Sequence, residues 1–411
     1  MLRPLYGTGP RALFYSHDTV GLGHIRRTLR ICEHLDCSFP SLSMLLVTGS
    51  PVAHGFRAPA GLDYVKLPSV IKRGDDRYET RNLRLPFQIT WQLRAKLLLD
   101  TVSAYRPDFL FVDNVPLGMK GELIHTLQFV SQHLPDTLVF LTLRDILDDA
   151  SRVVPQWKRL GVIEALERYY TRVFIYGLRS VFDPTVEYRW PVSVSSKTVF
   201  CGYIARSVDK ALSTAARRQL CGPGEPLVVV TVGGGSDGTE IVDTYLQALP
   251  QIRRHLPVKS LVILGPEMDP HEASRLRRAC DPRSVVVMDF CSDPMPYLDA
   301  ADLVVSMAGY NTVSEILALN KQAIVIPRTH PRREQLIRSR RLEAFGLLRT
   351  IEPDELTRDR LAAKVRDALE VPAAPAATRL EFTGLDRLTV EMRELLAADQ
   401  TFLNRVEARV V

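Results

Sequence analysis

SMAGYNTVSEILALNKQAIVIPRTHPRREQ, residues 306–335, is the stretch that decides the fold. A short apolar strand, Ala301 to Ser306, leads through Gly309 into a predicted helix from Thr312 to Leu319. A second apolar strand, Gln322 to Pro327, follows directly. Short apolar strands that alternate with helices predict a parallel α/β sheet, in which the residues after each strand meet at one edge.

The turn at Gly309 has the chemistry of an anion site. Glycine allows a positive φ and a close approach of the backbone, and the first N–H groups of the next helix favour a phosphate. Glu315 lies about one turn into that helix, where its carboxylate can accept hydrogen bonds from the two hydroxyls of a ribose. The second strand brings His330 and then Glu334 and Gln335 to the same edge. We expect Glu334 and Gln335 to select a sugar; the alternative is an exposed helix start.

These residues together resemble a known family. The order G-x-x-T-x-S-E over 309–315, a strand that ends in proline, and H-x-x-x-E-Q over 330–335 is similar to the nucleotide-sugar site of MurG-like glycosyltransferases of the GT-B fold. Each piece alone is weak, because a glycine before a helix is mostly ordinary loop chemistry. The resemblance implies an α/β protein of the GT-B fold, with two Rossmann-like domains, a parallel sheet in each, and a cleft between them.

A second glycine-rich loop follows another apolar strand, Leu227 to Val232. The loop Gly233–Gly238 precedes a predicted helix that begins near Glu240. It lacks the lysine of a P-loop and is not G-x-G-x-x-G, so ATP-binding and dinucleotide-binding motifs are excluded. It resembles the G-G-S-x-G loop of the same family, which implies contact with the diphosphate of the donor.

Phe290, Cys291 and Arg206 complete the expected donor site. The resemblance places Phe290 over the base and the backbone of Cys291 at its edge; a plain core role for Phe290 is equally compatible with the sequence. Arg206 matches a basic position of the family's G-N-P-V-R linker, next to the diphosphate. The implied donor-binding residues are Arg206, Gly234, Gly235, Ser236, Phe290, Cys291, Gly309, Thr312, Glu315, His330, Glu334 and Gln335.

Two departures from the family concern the sugar. Met307 and Ala308 stand where MurG has Arg and Ser, and Glu334 replaces the first of its two Gln residues. A carboxylate prefers pairs of hydroxyl donors, so a glucose-type donor is as compatible with the sequence as N-acetylglucosamine.

The first predicted strand, Ala12 to Ser16, is followed by a glycine-containing turn that ends in Gly23 and His24. This ending resembles the family's G-G-T-G-G-H turn, which implies contact with the acceptor. His17 and Asp18 replace small residues there, so we expect a different acceptor.

His24 is the predicted catalytic base. Attack by an acceptor hydroxyl requires removal of its proton, and imidazole is suited to this near neutral pH. Asp18, Asp113 or Asp145 can orient the ring, Asp113 is the alternative base, and Asp145 is interpreted first as a helix cap. The alternative is a His24 that only begins the helix and binds substrate, or packs.

The polar, charged segment 69–84 has no sustained hydrophobic period. We expect a mobile loop here, either an acceptor-binding flap or a solvated connection. Asp75 and Asp76 within it have no third ligand and do not predict a metal site.

Length and composition indicate a folded protein of two domains. The composition, 46% hydrophobic and 24% charged, is that of a folded protein. The length of 411 residues is too great for one ordinary core. The resemblance implies an acceptor domain over 1–201, a donor domain over 202–370, and a linker with a terminal helix over 371–411 that packs back on the first domain. The net charge of +6 suits anionic substrates or an anionic membrane surface, and no nucleic-acid motif is present.

Six cysteines without metal-ligand spacing predict free thiols in a reducing compartment. No signal peptide or apolar run long enough to span a membrane is seen in the sequence. We expect a cytoplasmic enzyme, and peripheral contact with the inner face of the plasma membrane stays open.

The resulting hypothesis is a metal-independent glycosyltransferase that needs no cofactor. Its partners would be a nucleotide-diphosphate sugar, with UDP favoured, and a lipid, glycan or small-molecule hydroxyl. The same architecture can also serve a sugar-nucleotide epimerase, a nucleotide-sugar hydrolase or a non-catalytic nucleotide-sugar-binding module.

Overall fold

The computed structural model describes residues 9–17, 23–73, 77–371 and 380–398. The chain divides into two compact units. Unit 1 comprises 1–145, 150–202 and 383–411, and unit 2 comprises 146–149 and 203–382. Asp18, Asp75, Asp76 and most of the predicted linker after 371 lie outside the described residues.

Unit 1 contains a parallel sheet, helices around it and a separate antiparallel pair of strands. Its strands are β1 (Arg11–Ser16), β2 (Ser43–Thr48), β3 (Leu62–Lys66), β4 (Val70–Arg73), β5 (Arg77–Thr80), β6 (Phe109–Asp113), β7 (Leu138–Arg144), β8 (Arg172–Tyr176) and β9 (Thr198–Phe200). Its helices are α1 (Gly23–Ser38), α2 (Phe87–Tyr105), α3 (Ile124–His133), α4 (Ala150–Leu160), α5 (Val162–Tyr169), α6 (Pro184–Glu187), α7 (Val192–Ser195) and α15 (Gly384–Ala398).

The large sheet of unit 1 has the order β3-β2-β1-β6-β7-β8-β9, and its strands are parallel. Its central strands are apolar on both faces, as expected for a sheet covered by helices on each side. The strand order reverses between β1 and β6. The residues after these two strands therefore lie at the topological switch point, where open α/β sheets bind ligands.

Most of the described part of the segment predicted as a mobile loop, 69–73 and 77–84, forms two paired strands. β4 and β5 pair antiparallel, with Val70 opposite Thr80 and Arg73 opposite Arg77. Arg73 Nε donates to Glu79 Oε2 at 3.3 Å, and the Lys72 ammonium lies 5.9 Å from the centre of the Tyr78 ring. Polar cross-strand pairs hold this ribbon together, which explains why hydrophobic periodicity did not reveal it.

A buried ion pair connects α2 to the residues after β6. Arg94 donates to both Glu122 carboxylate oxygens at 2.6 and 2.7 Å, and the Tyr15 hydroxyl donates to Glu122 at 2.7 Å. Burial, and then the Glu122 carboxylate, raise the pKa of Tyr15 well above its usual range. Arg94 also donates to the Pro68 carbonyl at 2.7 Å, so one arginine joins α2, the base of β4 and the loop after β6.

Unit 2 is a second α/β layer structure. Its strands are β10 (Leu227–Thr231), β11 (Lys259–Ile263), β12 (Val285–Met288), β13 (Leu303–Ser306), β14 (Gln322–Val325) and β15 (Arg349–Thr350). Its helices are α8 (Lys210–Leu220), α9 (Thr239–Arg253), α10 (Pro270–Arg278), α11 (Met295–Ala300), α12 (Tyr310–Ala318), α13 (Glu334–Ala344) and α14 (Arg358–Glu370).

The parallel sheet of unit 2 has the order β12-β11-β10-β13-β14-β15. Alternating side chains of β10 pack with α9 and α14 in one apolar core, which includes Val228, Val230, Tyr245 and Leu361. The order reverses between β10 and β13. The two glycine turns singled out in the sequence follow these two strands, so both lie at the switch point of unit 2.

The predicted helix near the end of the chain is α15, which packs on α1 in unit 1. His34 Nε2 lies 2.9 Å from Thr389 Oγ1, and the Arg393 guanidinium donates to the Ser38 carbonyl at 3.4 Å. Leu388 and Met392 on α15 are fully buried. Burial of one apolar face fixes this helix in unit 1.

Candidate functional site

The glycine-rich loop after β10 has a shape that only glycine permits. Gly235 has φ +97°, and a Cβ there would lie 2.5 Å from the Leu264 carbonyl oxygen. The Glu267 N–H donates to the Gly234 carbonyl at 2.7 Å. The loop is therefore held against the residues after β11, and Ser236 at its tip is exposed.

Two helix N-termini begin beside each other at the switch point of unit 2. β10 and β13 are hydrogen-bonded neighbours, with Thr231 opposite Ser306. Gly238 precedes α9 and Gly309 precedes α12, and neither N-terminus has a side-chain cap among the described residues. Uncapped N–H groups at a helix start carry partial positive charge and favour an anion.

Gly309 has a different use from the one expected. Its φ is −65°, so it does not adopt the positive φ that the sequence suggested. A Cβ on Gly309 would meet no atom within 4 Å. Gly309 therefore leaves open space in front of the α12 N-terminus. Thr312 lies in the first turn of that helix.

Glu315, the expected ribose ligand, forms an ion pair with Arg206. Arg206 Nη1 lies 3.4 Å from Glu315 Oε1, and its Nη2 lies 2.8 Å from Asp293 Oδ1. The Glu315 side chain is 15% exposed, so the carboxylate is accessible but mostly covered. The structure brings Arg206 and Glu315 together, whereas the sequence had assigned them to different parts of the donor.

Phe290 lies after β12 and half of its surface is exposed. Its relative exposure of 50% excludes the plain core alternative. Cys291 beside it is partly buried. An exposed aromatic ring at the edge of a parallel sheet can stack on a base.

Glu334 and Gln335 are buried at the start of α13, so the exposed helix start is also excluded. Their residues are 1% and 7% exposed. Gln335 Oε1 accepts a hydrogen bond from the Arg328 N–H at 3.1 Å, and Glu334 Oε1 accepts one from Arg328 Nη2 at 3.0 Å. Arg328 was not among the residues predicted from the sequence; an arginine directly after the strand-ending Pro327 was the available signal.

His330 and Arg338 lie near this edge in contrasting environments. His330 is exposed, with Nδ1 3.2 Å from Thr329 Oγ1. Arg338 is fully buried and donates to the Ala308 carbonyl at 2.9 Å. This second arginine, which the sequence analysis also missed, holds the turn that ends in Gly309.

In unit 1, His24 and Asp113 meet at the switch point between β1 and β6. His24 Nδ1 lies 2.7 Å from Asp113 Oδ2, and the Arg27 guanidinium pairs with the other oxygen. Burial alone would raise the pKa of the Asp113 carboxyl, but Arg27 and then His24 lower it well below its usual range. A carboxylate held ionised in this way is a poor proton acceptor, so its place is that of a partner to the ring.

The surroundings of this pair include one unexpected neighbour. The His17 N–H donates to Asp113 Oδ2 at 3.4 Å, and the His17 ring meets the His24 ring edge-on with centres 5.9 Å apart. Gly23 begins α1 and is exposed. Asp145 is buried but lies upstream of Ala150, where α4 begins, so it does not occupy the N-cap position of that helix.

Within the described residues, His, Cys, Asp and Glu side chains form no group of three or more with the arrangement of a metal site. In the same part of the chain, each helix is too short or too polar to cross a membrane.

Comparison with known proteins supports the resemblance. Residues 228–388 match the glycosyltransferase family 28 C-terminal domain. A UDP-N-acetylglucosamine–N-acetylmuramyl-(pentapeptide) pyrophosphoryl-undecaprenol N-acetylglucosamine transferase from Geobacter sp. (strain M21) is 27% identical over 46% of this chain and 50% of its own length. The transferase of the same name from Sinorhizobium fredii is 30% identical over 52% of this chain and 59% of its own length. The chain thus spans about half the length of the curated relatives it matches.

Solved structures support the fold over nearly the whole chain. MurG from Acinetobacter baumannii has a TM-score of 0.58 at 14% identity and covers 94% of this chain and 99% of its own. The glycotransferase of kitacinnamycin has a TM-score of 0.60 at 16% identity and covers 99% of this chain and 100% of its own. The predicted GT-B fold and the resemblance to MurG-like glycosyltransferases are therefore confirmed.

Proposed function

We propose that this protein transfers a hexose or N-acetylhexosamine from a nucleotide-diphosphate sugar to a hydroxyl acceptor, with UDP as the favoured nucleotide. The observation that carries the proposal is the pair of uncapped helix N-termini at the switch point of unit 2, with Glu315 one turn along α12. This combination offers two partial positive charges for a diphosphate and a carboxylate for a ribose.

The donor site supplies most of the stabilisation that the leaving group needs. As the glycosidic bond breaks, negative charge grows on the diphosphate, and fixed N–H groups at α9 and α12 stabilise that charge without reorganisation. We propose that no metal or other cofactor takes part. Arg206 adds a cation when a ribose displaces it from Glu315, since the two side chains now lie 3.4 Å apart.

The acceptor chemistry belongs to His24. When its Nδ1–H donates to the ionised Asp113, Nε2 carries the lone pair and can take the proton of an acceptor hydroxyl. The imidazolium that forms is stabilised by the same carboxylate. Arg27 holds Asp113 from the other side, so it acts as a positioning residue for this step.

A lipid acceptor, and peripheral contact with the inner face of the plasma membrane, are proposals that a surface of unit 1 supports. Leu85, Ile89 and Leu93 recur at helical spacing and are 44%, 47% and 41% exposed. Exposed Arg81 and Arg84 lie directly before α2. Exposed apolar side chains next to arginines suit an anionic membrane surface, and the relatives named above use an undecaprenol-linked acceptor.

One experiment separates this function from its rivals. The full chain is incubated with labelled nucleotide sugars and a membrane-containing cell extract, with His24→Ala as the matched control. We expect a new glycosylated product that depends on His24. An isomerised donor would indicate an epimerase, release of free sugar a hydrolase, and binding without turnover a non-catalytic module.

A further inference from the structure

Arg328 connects two carboxylates that belong to different parts of the proposed donor site. Its Nη1 donates to Asp237 Oδ2 at 3.1 Å, and its Nη2 donates to Glu334 Oε1 at 3.0 Å. Asp237 lies in the glycine-rich loop after β10, and Glu334 is the first residue of α13. One rigid, planar guanidinium therefore joins the loop proposed for the diphosphate to the residue proposed for the sugar.

The three side chains have very different exposure. Glu334 is 2% exposed, Arg328 27% and Asp237 42%. A buried carboxylate without a counter-charge is strongly unfavourable, so the Arg328 guanidinium stabilises the ionised form of Glu334. The pair is mutual: burial alone would lower the pKa of Arg328, but Glu334 and Asp237 raise it.

The charge state of Glu334 decides what it can recognise. An ionised carboxylate only accepts hydrogen bonds, and Arg328 donates one of those that Glu334 accepts. Sugar hydroxyls are suitable donors for such a group. The Arg328 N–H also donates to Gln335 Oε1, so the same residue orients both side chains of the Glu334-Gln335 pair.

We infer that Arg328 is a positioning residue that couples the seating of the diphosphate at the loop 233–238 to the selection of the sugar by Glu334. This inference rests on the proposed function. Any shift of Asp237 when an anion arrives at the loop is passed to Glu334 through the shared guanidinium, because both carboxylates are bonded to it.

The test is a double-mutant cycle for binding. Asp237→Asn and Glu334→Gln are made singly and together, in the natural chain and in the Arg328→Met background. Calorimetry then measures the Kd of UDP-glucose, UDP-N-acetylglucosamine and UDP. In the natural background, we expect the combined effect on UDP-sugar binding to differ from the product of the single effects by about threefold or more. In the Arg328→Met background, we expect the effects to multiply.

Further variants separate positioning from general stability. Arg328→Met should weaken UDP-sugar binding by about tenfold and alter the ranking of the two sugars, while UDP binding changes by less than about threefold. Arg328→Lys should fold like the natural chain but lack the coupling between Asp237 and Glu334, because one ammonium cannot bridge two carboxylates in a fixed geometry. Arg340→Met is the matched control: it removes an ion pair with Glu352, 2.6 Å long, from α13, the helix that begins at Glu334.

Coupling that persists in both Arg328 variants would overturn the inference, and so would an equal change in the sugar ranking with Arg340→Met. The inference would also be overturned if the natural chain bound UDP tightly but neither UDP-sugar. That result would still support the nucleotide part of the proposed donor site. If the natural chain binds no nucleotide or nucleotide sugar at all, the proposed function itself fails.

Discussion

Charged side chains at strand ends carry the proposed chemistry, and each of them has a protein partner. Glu315 pairs with Arg206, Asp113 with Arg27 and His24, and Glu334 with Arg328. A buried charge persists only when it is paired and hydrogen-bonded. These pairs therefore determine which groups accept hydrogen bonds from a substrate and which stay structural.

Glu315→Ala should weaken UDP binding by about 1.5 to 3 kcal/mol, the scale of hydrogen bonds to a charged group. The loss is expected because the ribose hydroxyls lose their acceptor. Isothermal calorimetry with UDP measures it, after circular dichroism has shown that the variant is folded. Glu352→Ala is the control, since Glu352 pairs with Arg340 elsewhere in unit 2. Unchanged UDP affinity in a folded Glu315→Ala protein would exclude the ribose assignment.

His24→Ala should lower turnover by about a hundredfold or more, the usual size of general-base loss, with UDP affinity near that of the natural protein. Asp113→Asn should also lower turnover, because the amide cannot hold the ring as an ionised carboxylate does. Steady-state kinetics and UDP calorimetry give the two readouts. A loss of less than tenfold for His24→Ala, or a parallel collapse of UDP binding, would contradict the role of base.

At the scale of elements, helix termini and helix faces decide what each unit presents to a ligand. α9 and α12 present open N-termini after β10 and β13. α2 presents Ile89 and Leu93 to solvent, although its other face packs in unit 1, with Leu98 and Val102 fully buried. α15 covers part of α1 instead. Each face follows from the spacing of apolar residues along one helix.

Ile89→Glu should reduce binding to vesicles of phosphatidylglycerol and phosphatidylcholine by about tenfold or more, because it places a charge in the apolar face of α2. Vesicle sedimentation measures the bound fraction at low and high salt. Val192→Glu is the control, since Val192 is 83% exposed on α7 and lies outside this surface. Equal binding by both variants would show that α2 does not contact the membrane.

The contact between α1 and α15 should depend on pH through His34. Burial lowers the pKa of His34, and Asp386 only partly opposes this. The unfolded chain therefore takes up a proton at His34 before the folded chain does. The contribution to stability is present above the unfolded pKa of about 6.5 and is lost as the pH falls through the folded value.

Hydrogen exchange over 384–398, corrected for intrinsic rates, should show weaker protection at about pH 5.5 than at about pH 7.5. His34→Gln, which keeps a side-chain amide near Thr389, should remove most of this difference. Protection that falls equally in the His34→Gln protein would assign the effect to another group.

At the scale of the whole molecule, the chain repeats one architecture twice. Both large sheets are parallel and reverse their strand order once, between β1 and β6 in unit 1 and between β10 and β13 in unit 2. The proposed acceptor residues follow the first pair of strands, and the proposed donor residues follow the second pair and their neighbours. The same rule of parallel-sheet topology thus explains the position of each group of residues within its own unit.

UDP alone should slow hydrogen exchange in unit 2 and leave exchange near Asp113 in unit 1 unchanged. Hydrogen exchange should slow at 233–240 and 309–315, because bound phosphate oxygens satisfy N–H groups at α9 and α12. Protection of 113–118 should not change. Slower exchange confined to unit 1 on addition of UDP would move the nucleotide site out of unit 2.

The layered α/β fold, the two glycine turns and most residues of the proposed donor site could be predicted from the order of residues alone. These signals are local: an apolar run predicts a buried strand, and a glycine directly before a helix predicts an open N-terminus, whatever lies elsewhere in the chain. The His24 turn was found for the same reason, since Gly23 and His24 end the glycine-containing turn after the first strand.

Only the tertiary structure decided which side chains share a charge and which surfaces stay exposed. Arg328 meets Asp237 across 91 residues of sequence, and Arg27 meets Asp113 across 86. β4 and β5 pair through polar side chains that show no hydrophobic period. Phe290 is exposed although its position after a strand also suits the core. Ion pairing, cross-strand pairing and burial depend on distance in space, which the order of residues along the chain does not specify.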